Sequence, residues 1–214
     1  MRTCAVLPVK RFDDAKQRLD KTFNAGTRRA LAEAMVSDVL HALRRSERID
    51  KVIVVTGENG AEALARAYDA ESIPDDDRGH SHAARSGVDW ALEREYERVL
   101  LVPGDCPALD PGEVSALLEI SADVVIVPDR HGTGTNSLVL TPPTVMPPAF
   151  GEGSFARHRR LAAEAGASFH VADARSLQLD VDTPDDLAAL RRALGARPDG
   201  AARTRRLLED AAVA

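Results

Sequence analysis

The sequence predicts an α/β fold in which helices flank a mixed, mostly parallel sheet. Three features carry that reading. Apolar runs of strand length recur at Thr3–Val9, Lys51–Val55, Val99–Val102 and Asp123–Val127, the pattern of strands buried on both faces of a parallel sheet. Helix-patterned stretches separate them at short spacing, as right-handed crossovers between parallel strands require. After Val127 the rhythm changes. Ser137–Leu140 follows too soon for a helical crossover, so it is expected to run antiparallel or to belong to a small accessory β element.

Taken in order, Thr3–Val9 (TCAVLPV) is a strand that runs into a loop bearing Lys10, Lys16 and Arg18. Thr27–Arg45 is the clearest helix. Leu31, Met35, Val39 and Leu43 recur at helical spacing, and Arg44 and Arg45 suit its C-terminal dipole. Lys51–Val55 is the second buried strand and Ala61–Tyr68 a short helix. The polar loop Asp75–Gly79 precedes a helix over Ser81–Arg94. Val99–Val102 is the central strand. Pro103 stops it by offering no ladder donor, and Gly104 is expected to allow a sharp reversal. Asp110 and Pro111 read as N-cap and first residue of the next helix. Ser154–Ala165 is helical and closed by Gly166, and Ser168–Val171 is a strand. Leu177–Asp182 is predicted as the last strand, followed by a helix with Thr183 as cap and Pro184 at its first position. The polar, alanine-rich segment from Gly195 onward reads as a linker plus a marginal helix. It is a candidate for oligomerisation, with a homodimer as the state considered. The division expected is a catalytic domain over residues 1–194 and a tail over 195–214.

A chain of 214 residues suffices for one α/β domain with a substantial core. Apolar content of 44% and charged content of 29% are ordinary for a globular protein. The formal charge of -6 argues against a non-specific nucleic-acid binder, while local basic clusters remain able to grip a phosphorylated small molecule. Cys4 and Cys106 show neither metal-ligand spacing nor a disulfide framework. Cys106 follows Asp105 directly, so a catalytic thiol is conceivable, but a small core-facing residue is the better reading. No apolar run approaches ~18 residues and no signal-peptide pattern opens the chain. The expectation is a cytoplasmic protein without a membrane partner.

Three constellations point to chemistry. Lys10, Lys16 and Arg18 follow the carboxyl end of the first strand, where ammonium and guanidinium groups can neutralise a triphosphate; they are the candidate catalytic cations. No Gly-x-Gly-x-x-Gly and no Walker lysine motif is present, so neither a dinucleotide fold nor a P-loop is supported. Asp105 lies just past the central strand, at the end of an open α/β sheet where ligands bind. With Asp180 and Asp182, which alternate along an extended segment and so face one way, it would make an oxygen-rich site suited to magnesium. Asp105 could equally cap a turn, and Asp182 could be only an N-cap. Third, Gly151-Glu-Gly-Ser154 opens a helix whose free N–H groups and dipole form an anion site. There Ser154 could bind phosphate or carboxylate, or serve as a plain cap. His158, one turn on, reads as a surface or structural residue. Thr135, in the turn-forming run Thr133-Gly-Thr-Asn136, could add a hydroxyl.

With these residues in place, the chain resembles the guanylyltransferases of deazaflavin coenzyme F-420 biosynthesis, whose Rossmann-like nucleotidyltransferase fold is related to the sugar-nucleotide pyrophosphorylases. The matching pieces are Pro8-Val-Lys10 with Ala15-Lys16-x-Arg18-Leu19, Pro103-Gly-Asp105-x-Pro107-x-Leu109, Gly151-x-Gly-Ser154-Phe-x-x-His158 and Asp180-Val-Asp182-Thr-Pro184-x-Asp186-Leu. The resemblance implies that GTP and phosphoenolpyruvate or 2-phospho-L-lactate give a guanylylated acid and pyrophosphate, and that the product passes to a downstream transferase of the same pathway. It also implies that Asp105, Asp180 and Asp182 hold magnesium, and that Thr135, Gly151 and Ser154 grip the acid. The nucleotide would lie against Lys10, Asp105 and the helix containing His82 and Gly87.

One departure stands out. The segment bordering the base reads Gly79-His80-Ser81-His82-Ala83-Ala84, with His82 where such enzymes carry an amide residue. Three rival readings are a nucleotide-sugar glycosyltransferase, whose Asp-x-Asp motif Asp180-Val-Asp182 imitates, another nucleotidyltransferase such as a sugar-phosphate or cytidylyl transferase, and a non-catalytic nucleotide-binding domain. The first is disfavoured by the late position of that motif and the second by the missing glycine-rich first loop. The third is disfavoured by the retention of Lys10, Lys16 and three metal-type aspartates.

Overall fold

The computed structural model describes residues 1–197 and 199–211. Its strands are β1 Thr3–Val9, β2 Lys51–Thr56, β3 Glu71–Pro74, β4 Arg98–Leu101, β5 Val124–Pro128, β6 Thr135–Leu140 and β7 Phe169–Val171. Its helices are α1 Ala25–Arg44, α2 Asn59–Ala67, α3 His80–Glu93, α4 Pro111–Leu117, α5 Ser154–Glu164, α6 Arg175–Gln178, α7 Pro184–Ala196 and α8 Ala202–Asp210. All seven strands join one sheet in the order β3-β2-β1-β4-β6-β5-β7. β6 is antiparallel to both neighbours, and the other pairings are parallel. The short spacing after Val127 is thus a hairpin within the main sheet, and among the described residues no separate accessory β element forms.

Strand alternation splits β1 between two cores. Ala5, Leu7 and Val9 face α1, α2 and α4, where Val36, Leu40 and Leu43 of α1 cover them. Cys4 and Val6 face α3 and α5, against Ala84, Val88 and Ala162. A third cluster lies on the outer side of α1, where Leu31 and Met35 meet Leu187, Leu190 and Leu194 of α7 and Leu208 of α8. The start of α8 is tied down by Asp38, whose carboxylate accepts from the N–H groups of Arg203 and Thr204 at 3.2 and 2.8 Å. Among the described residues no helix is long and apolar enough to cross a membrane.

Four local details differ from the sequence reading. β3 escapes prediction because it is short, polar and at the sheet edge, with a proline at its end. The strand expected over Leu177–Asp182 does not form. The chain instead makes α6 and an irregular segment whose backbone bonds go elsewhere: the Leu177 carbonyl accepts from the Asn136 side chain, and the Val181 N–H donates to the Asp105 carbonyl. Gly104 does not reverse the chain through a left-handed conformation; its lack of a side chain lets it approach Val36 of α1, which a Cβ would meet at 3.1 Å. Finally, α1 begins at Ala25 because Asn24 caps it, accepting from the Thr27 N–H at 2.9 Å.

Gly87 sets how closely α3 lies on the sheet. A Cβ there would sit 2.2 Å from Val6 Cγ1 and 3.3 Å from Val55 Cγ2, and both valines are stiff β-branched residues in the core. Gly87→Ala is therefore expected to lose about 1–3 kcal/mol of stability through overpacking. The fall in urea midpoint at unchanged slope checks it; an unshifted midpoint would mean α3 yields without cost.

Candidate active site

The loops at one edge of the sheet, the carboxyl ends of the parallel strands, gather Lys10, Lys16, Asp105 and Asp182. β1 leads into Lys10, β3 into Asp75 and β4 into Asp105, while antiparallel β6 starts there with Thr135 and Asn136. Strands run outward from β1 in one direction to β3 and from β4 in the other to β7, so Lys10 and Asp105 flank the point where the strand order reverses. In open α/β sheets that crevice takes the ligand.

Lys16 is the centre of this edge. Its Nζ lies 2.6 Å from Asp105 Oδ2 and 2.9 Å from Asp182 Oδ1, and only 7% of its side chain is exposed. Burial opposes the ammonium charge, but Asp105 and then Asp182 outweigh it and hold the Lys16 pKa above the ordinary lysine value. The Lys16 backbone is left-handed, with φ 57°, a conformation that costs a lysine on the order of 1 kcal/mol and that the two ion pairs help to hold. Asp180 lies close by. Burial, then the neighbouring Asp105 charge, raises its pKa, while Asn136 Nδ2 donates to it at 3.1 Å.

Asp182 is positioned by a carboxylate four residues on. Asp186, 8% exposed, accepts from the N–H groups of Asp182 and Thr183 at 3.1 and 2.7 Å and pairs with Arg130 at 2.6 Å. Thr183 is the N-cap in a reciprocal capping box with Asp186, so Asp182 is free of capping duty. The opposite side of the Lys16 loop is anchored by Glu58, which accepts from the Phe12 N–H at 3.1 Å and pairs with Arg29 at 3.2 Å.

Beside this charge cluster opens a cleft of about 340 Å³ lined by Pro8, Val9, Lys10, Arg11, Asp75, Asp77, Gly79, His80 and Ala83. His80 packs edge-on against Phe150, with ring centroids 4.8 Å apart. Burial lowers its pKa, and Asp105, Lys10 and Asp75 are the charges it feels. The histidine lining the cleft is therefore His80. His82 faces Asp76 instead, with its Nε2 3.2 Å from Asp76 Oδ1. Gly87 lies two turns further along α3, inside the sheet packing. Arg18 is exposed and has no ion pair among the described residues.

The third constellation is more buried than the sequence indicates. Ser154 is the first residue of α5, with Gly153 as cap, and its Oγ accepts from the Thr135 N–H at 2.9 Å. Thr135 Oγ1 lies 2.9 Å from His158 Nδ1, while His158 Nε2 accepts from the Ala149 N–H at 2.9 Å. His158 is fully buried, and burial pushes its imidazole down to about 4. Gly151, with φ +111°, turns the exposed chain into this helix through a conformation that suits glycine. Cys106 is core: its Sγ reaches the Leu177 carbonyl at 3.4 Å, and burial raises its pKa, which removes the catalytic-thiol reading. Sequence reasoning assigned no role to His80, Asn136 or Asp186. Asp186 entered only as part of a matching motif, and the only signal for Asn136 was its closeness to Thr135.

Residues 3–192 match the family model described as guanylyl transferase CofC like. The chain belongs to this family. It is 53% identical to the phosphoenolpyruvate guanylyltransferase of Conexibacter woesei, with 97% of this chain and 96% of that protein covered. The 2-phospho-L-lactate guanylyltransferase of Methanothermobacter thermautotrophicus is 37% identical over 89% of this chain and 84% of its own length. The 3-phospho-D-glycerate guanylyltransferase of Colwellia psychrerythraea is 33% identical, covering 89% and 91%. Among solved structures, a nucleotidyl transferase from the same Methanothermobacter species superposes with a TM-score of 0.65 at 19% identity, covering 92% of this chain and 99% of that one. The chain is thus a nucleotidyltransferase of the guanylyltransferase family, which sets aside the glycosyltransferase and non-catalytic readings.

The buried imidazole makes stability pH-dependent in a defined direction. The folded pKa of about 4 lies below the ordinary 6.5, so between these values the unfolded chain takes up a proton that the folded one refuses. Stability from this residue is complete above pH 6.5, falls with pH through the window, and levels off below 4. From pH 7 to 5 the unfolding free energy of the native protein should fall by about 2 kcal/mol more than that of His158→Asn. Chemical denaturation at the two pH values measures it, and a parallel fall in both proteins would show that His158 is protonated in the fold.

Proposed function

We propose that this enzyme transfers the guanylyl group of GTP to the phosphate of a three-carbon acid, phosphoenolpyruvate in preference to 2-phospho-L-lactate, with release of pyrophosphate. The observation that carries the reading is the convergence of Asp105 and Asp182 on one buried cation, Lys16, at the reversal point of the sheet. A phosphate oxygen of the acid attacks the α-phosphorus of GTP, the bond from that phosphorus to the bridging oxygen of the β-phosphate breaks, and pyrophosphate leaves with the electron pair. No covalent enzyme intermediate is needed, so the protein contributes positioning and charge.

Lys10, Lys16 and Arg18 supply cations to the triphosphate, Lys10 from the wall of the cleft. The cleft beyond it would take the guanine ring, with His80 and Asp75 as the polar groups available to read it. Thr135, Gly151 and Ser154 would hold the acid. Two convergent carboxylates fit a magnesium ion that takes its other ligands from phosphates and water; among the described residues no three His, Cys, Asp or Glu side chains are arranged to hold an ion alone. Asp105 and Asp182 would be its ligands, with Asp180 as the third carboxylate in electrostatic reach. When bound, magnesium would neutralise the charge that builds on the phosphoryl oxygens. Preference for phosphoenolpyruvate rests on the name of the 53% identical relative. A deazaflavin F-420 pathway, with a downstream transferase taking the product, is the setting this chemistry suits.

Pyrophosphate release from GTP and magnesium tests the reading, with phosphoenolpyruvate, 2-phospho-L-lactate and 3-phospho-D-glycerate offered separately beside a no-acid control, and a trapping transferase to consume product. Release that requires phosphoenolpyruvate is the expected result. Release with another acid only would replace the substrate, and silence with all three would sink the assignment. In the same assay Asp105→Asn should lower kcat by on the order of 10²-fold or more without a large shift in unfolding midpoint.

A further inference from the structure

Ser154 and Thr135 share a feature that their proposed role does not by itself require. Each hydroxyl oxygen is buried, and each has its acceptor side filled from within the protein. Ser154 Oγ takes the Thr135 N–H at 2.9 Å. The state of Thr135 Oγ1 follows from His158. A backbone N–H can only donate, so the 2.9 Å contact from the Ala149 N–H leaves His158 Nε2 without a proton. A neutral imidazole then carries its proton on Nδ1, and Nδ1 donates to Thr135 Oγ1 at 2.9 Å. Both hydroxyl protons remain, and among the described residues neither has an acceptor. Two buried O–H donors without acceptors, beside a helix start that no side chain caps, are complementary to an anion and opposed to a cation.

We propose that His158 is a positioning residue for the acid substrate: held by the Ala149 N–H, its imidazole donates to Thr135 Oγ1 and turns the threonine O–H toward a ligand oxygen. The inference rests on the proposed acid-binding role of Thr135 and adds a residue that never touches the substrate. The fixed tautomer does the orienting. Were Nδ1 the acceptor, Thr135 would spend its proton on the imidazole and present only lone pairs to a phosphate or carboxylate. The geometry also binds three segments together, because Ala149, Thr135 and His158 come from the loop before α5, from β6 and from α5 itself.

Two substitutions separate the two hydrogen bonds. In His158→Asn the amide nitrogen falls near the position of Nδ1 and can still donate to Thr135, while the Ala149 bond is lost. In His158→Gln the terminal amide reaches the position of Nε2 and can accept from Ala149, while the donor to Thr135 is lost. Steady-state kinetics with each substrate varied in turn should give His158→Gln an acid KM raised about tenfold, the effect of one lost or misdirected hydrogen bond. Its GTP KM should stay within about twofold of the native value, and His158→Asn should keep an acid KM close to native. In a Thr135→Val background, His158→Gln should add no further loss, because the hydroxyl it orients is gone. Equal losses in His158→Asn and His158→Gln, a parallel rise in the GTP KM, or full additivity with Thr135→Val would each overturn the proposal and leave His158 a packing residue. If the native enzyme shows no acid-dependent turnover at all, the functional reading fails first and takes this inference with it.

Discussion

One buried ammonium holds the candidate catalytic edge of this protein together. Lys16 comes from the loop after the first strand, Asp105 from the loop after the fourth, and Asp182 from a segment 166 positions away in the chain. Each partner is costly without the others. A lysine with 7% of its side chain exposed requires counter-charge, and at Asp180 burial first and then the Asp105 charge oppose ionisation and raise its pKa. The arrangement therefore specifies a geometry more than it adds stability. Neutralising one carboxylate leaves Lys16 its other partner, whereas removing Lys16 would leave Asp105 and Asp182 facing each other without the cation between them. A site that already balances one cation against two carboxylates is also prepared for the charge changes of a triphosphate arriving with its own counter-ion.

Around that ion pair, carboxylates serve as mechanical anchors. Glu58 fixes the start of the Lys16 loop, Asp186 fixes Asp182 and draws Arg130 of the β5–β6 hairpin toward α7, and Asp129 ties that hairpin by accepting from the N–H groups of His131, Thr133 and Gly134. In Glu58, Asp129 and Asp186 burial raises the pKa, but hydrogen bonds from backbone or side chain outweigh it and hold all three below the usual carboxylate range. They stay ionised while working as acceptors. Acidic residues here divide into those that face the ligand edge and those that hold its loops, and composition alone does not tell the two apart.

That division explains what was legible in the sequence. β1, β2, β4, β5 and the long helices could be read from apolar runs and helical spacing, because burial on two faces or on one stripe leaves a period in the chain. Lys16, Asp105 and Asp182 could be singled out from the sequence because the first two follow strand ends and the third directly precedes a helix cap. β3 was not, being polar and peripheral. The segment Leu177–Asp182 misled because alternating apolar and polar residues imitate a strand, whereas here Leu177 and Val181 are buried while the Leu177 carbonyl and the Val181 N–H bond Asn136 and Asp105. His82 and His80, two residues apart, could not be ranked without knowing which face of α3 meets the cleft. Nor did the alanine- and arginine-rich tail reveal that Asp38 caps α8 and that Leu208 packs against the outer side of α1.

The two halves of the site then follow opposite electrostatic rules. At the β1–β4 side, charge is dense and mutually compensating, so binding there must exchange one set of ion pairs for another. At the β6–α5 side, among the described residues, no carboxylate bonds the Ser154 and Thr135 hydroxyls, and the titratable group beside them, His158, is kept neutral by burial. A phosphorylated acid has its own negative charge at both ends and is repelled by the first half unless cations lie between. The second half, as the proposed acid site, would attract it with N–H and O–H dipoles that need no counter-charge. On the proposed reading, separating carboxylates from hydroxyl donors across one sheet edge would give the acceptor a single orientation, with its anionic groups turned away from Asp105, Asp180 and Asp182 except where a cation bridges them. Orientation of that kind is the main contribution a nucleotidyl transfer asks of a protein that forms no bond to its substrate.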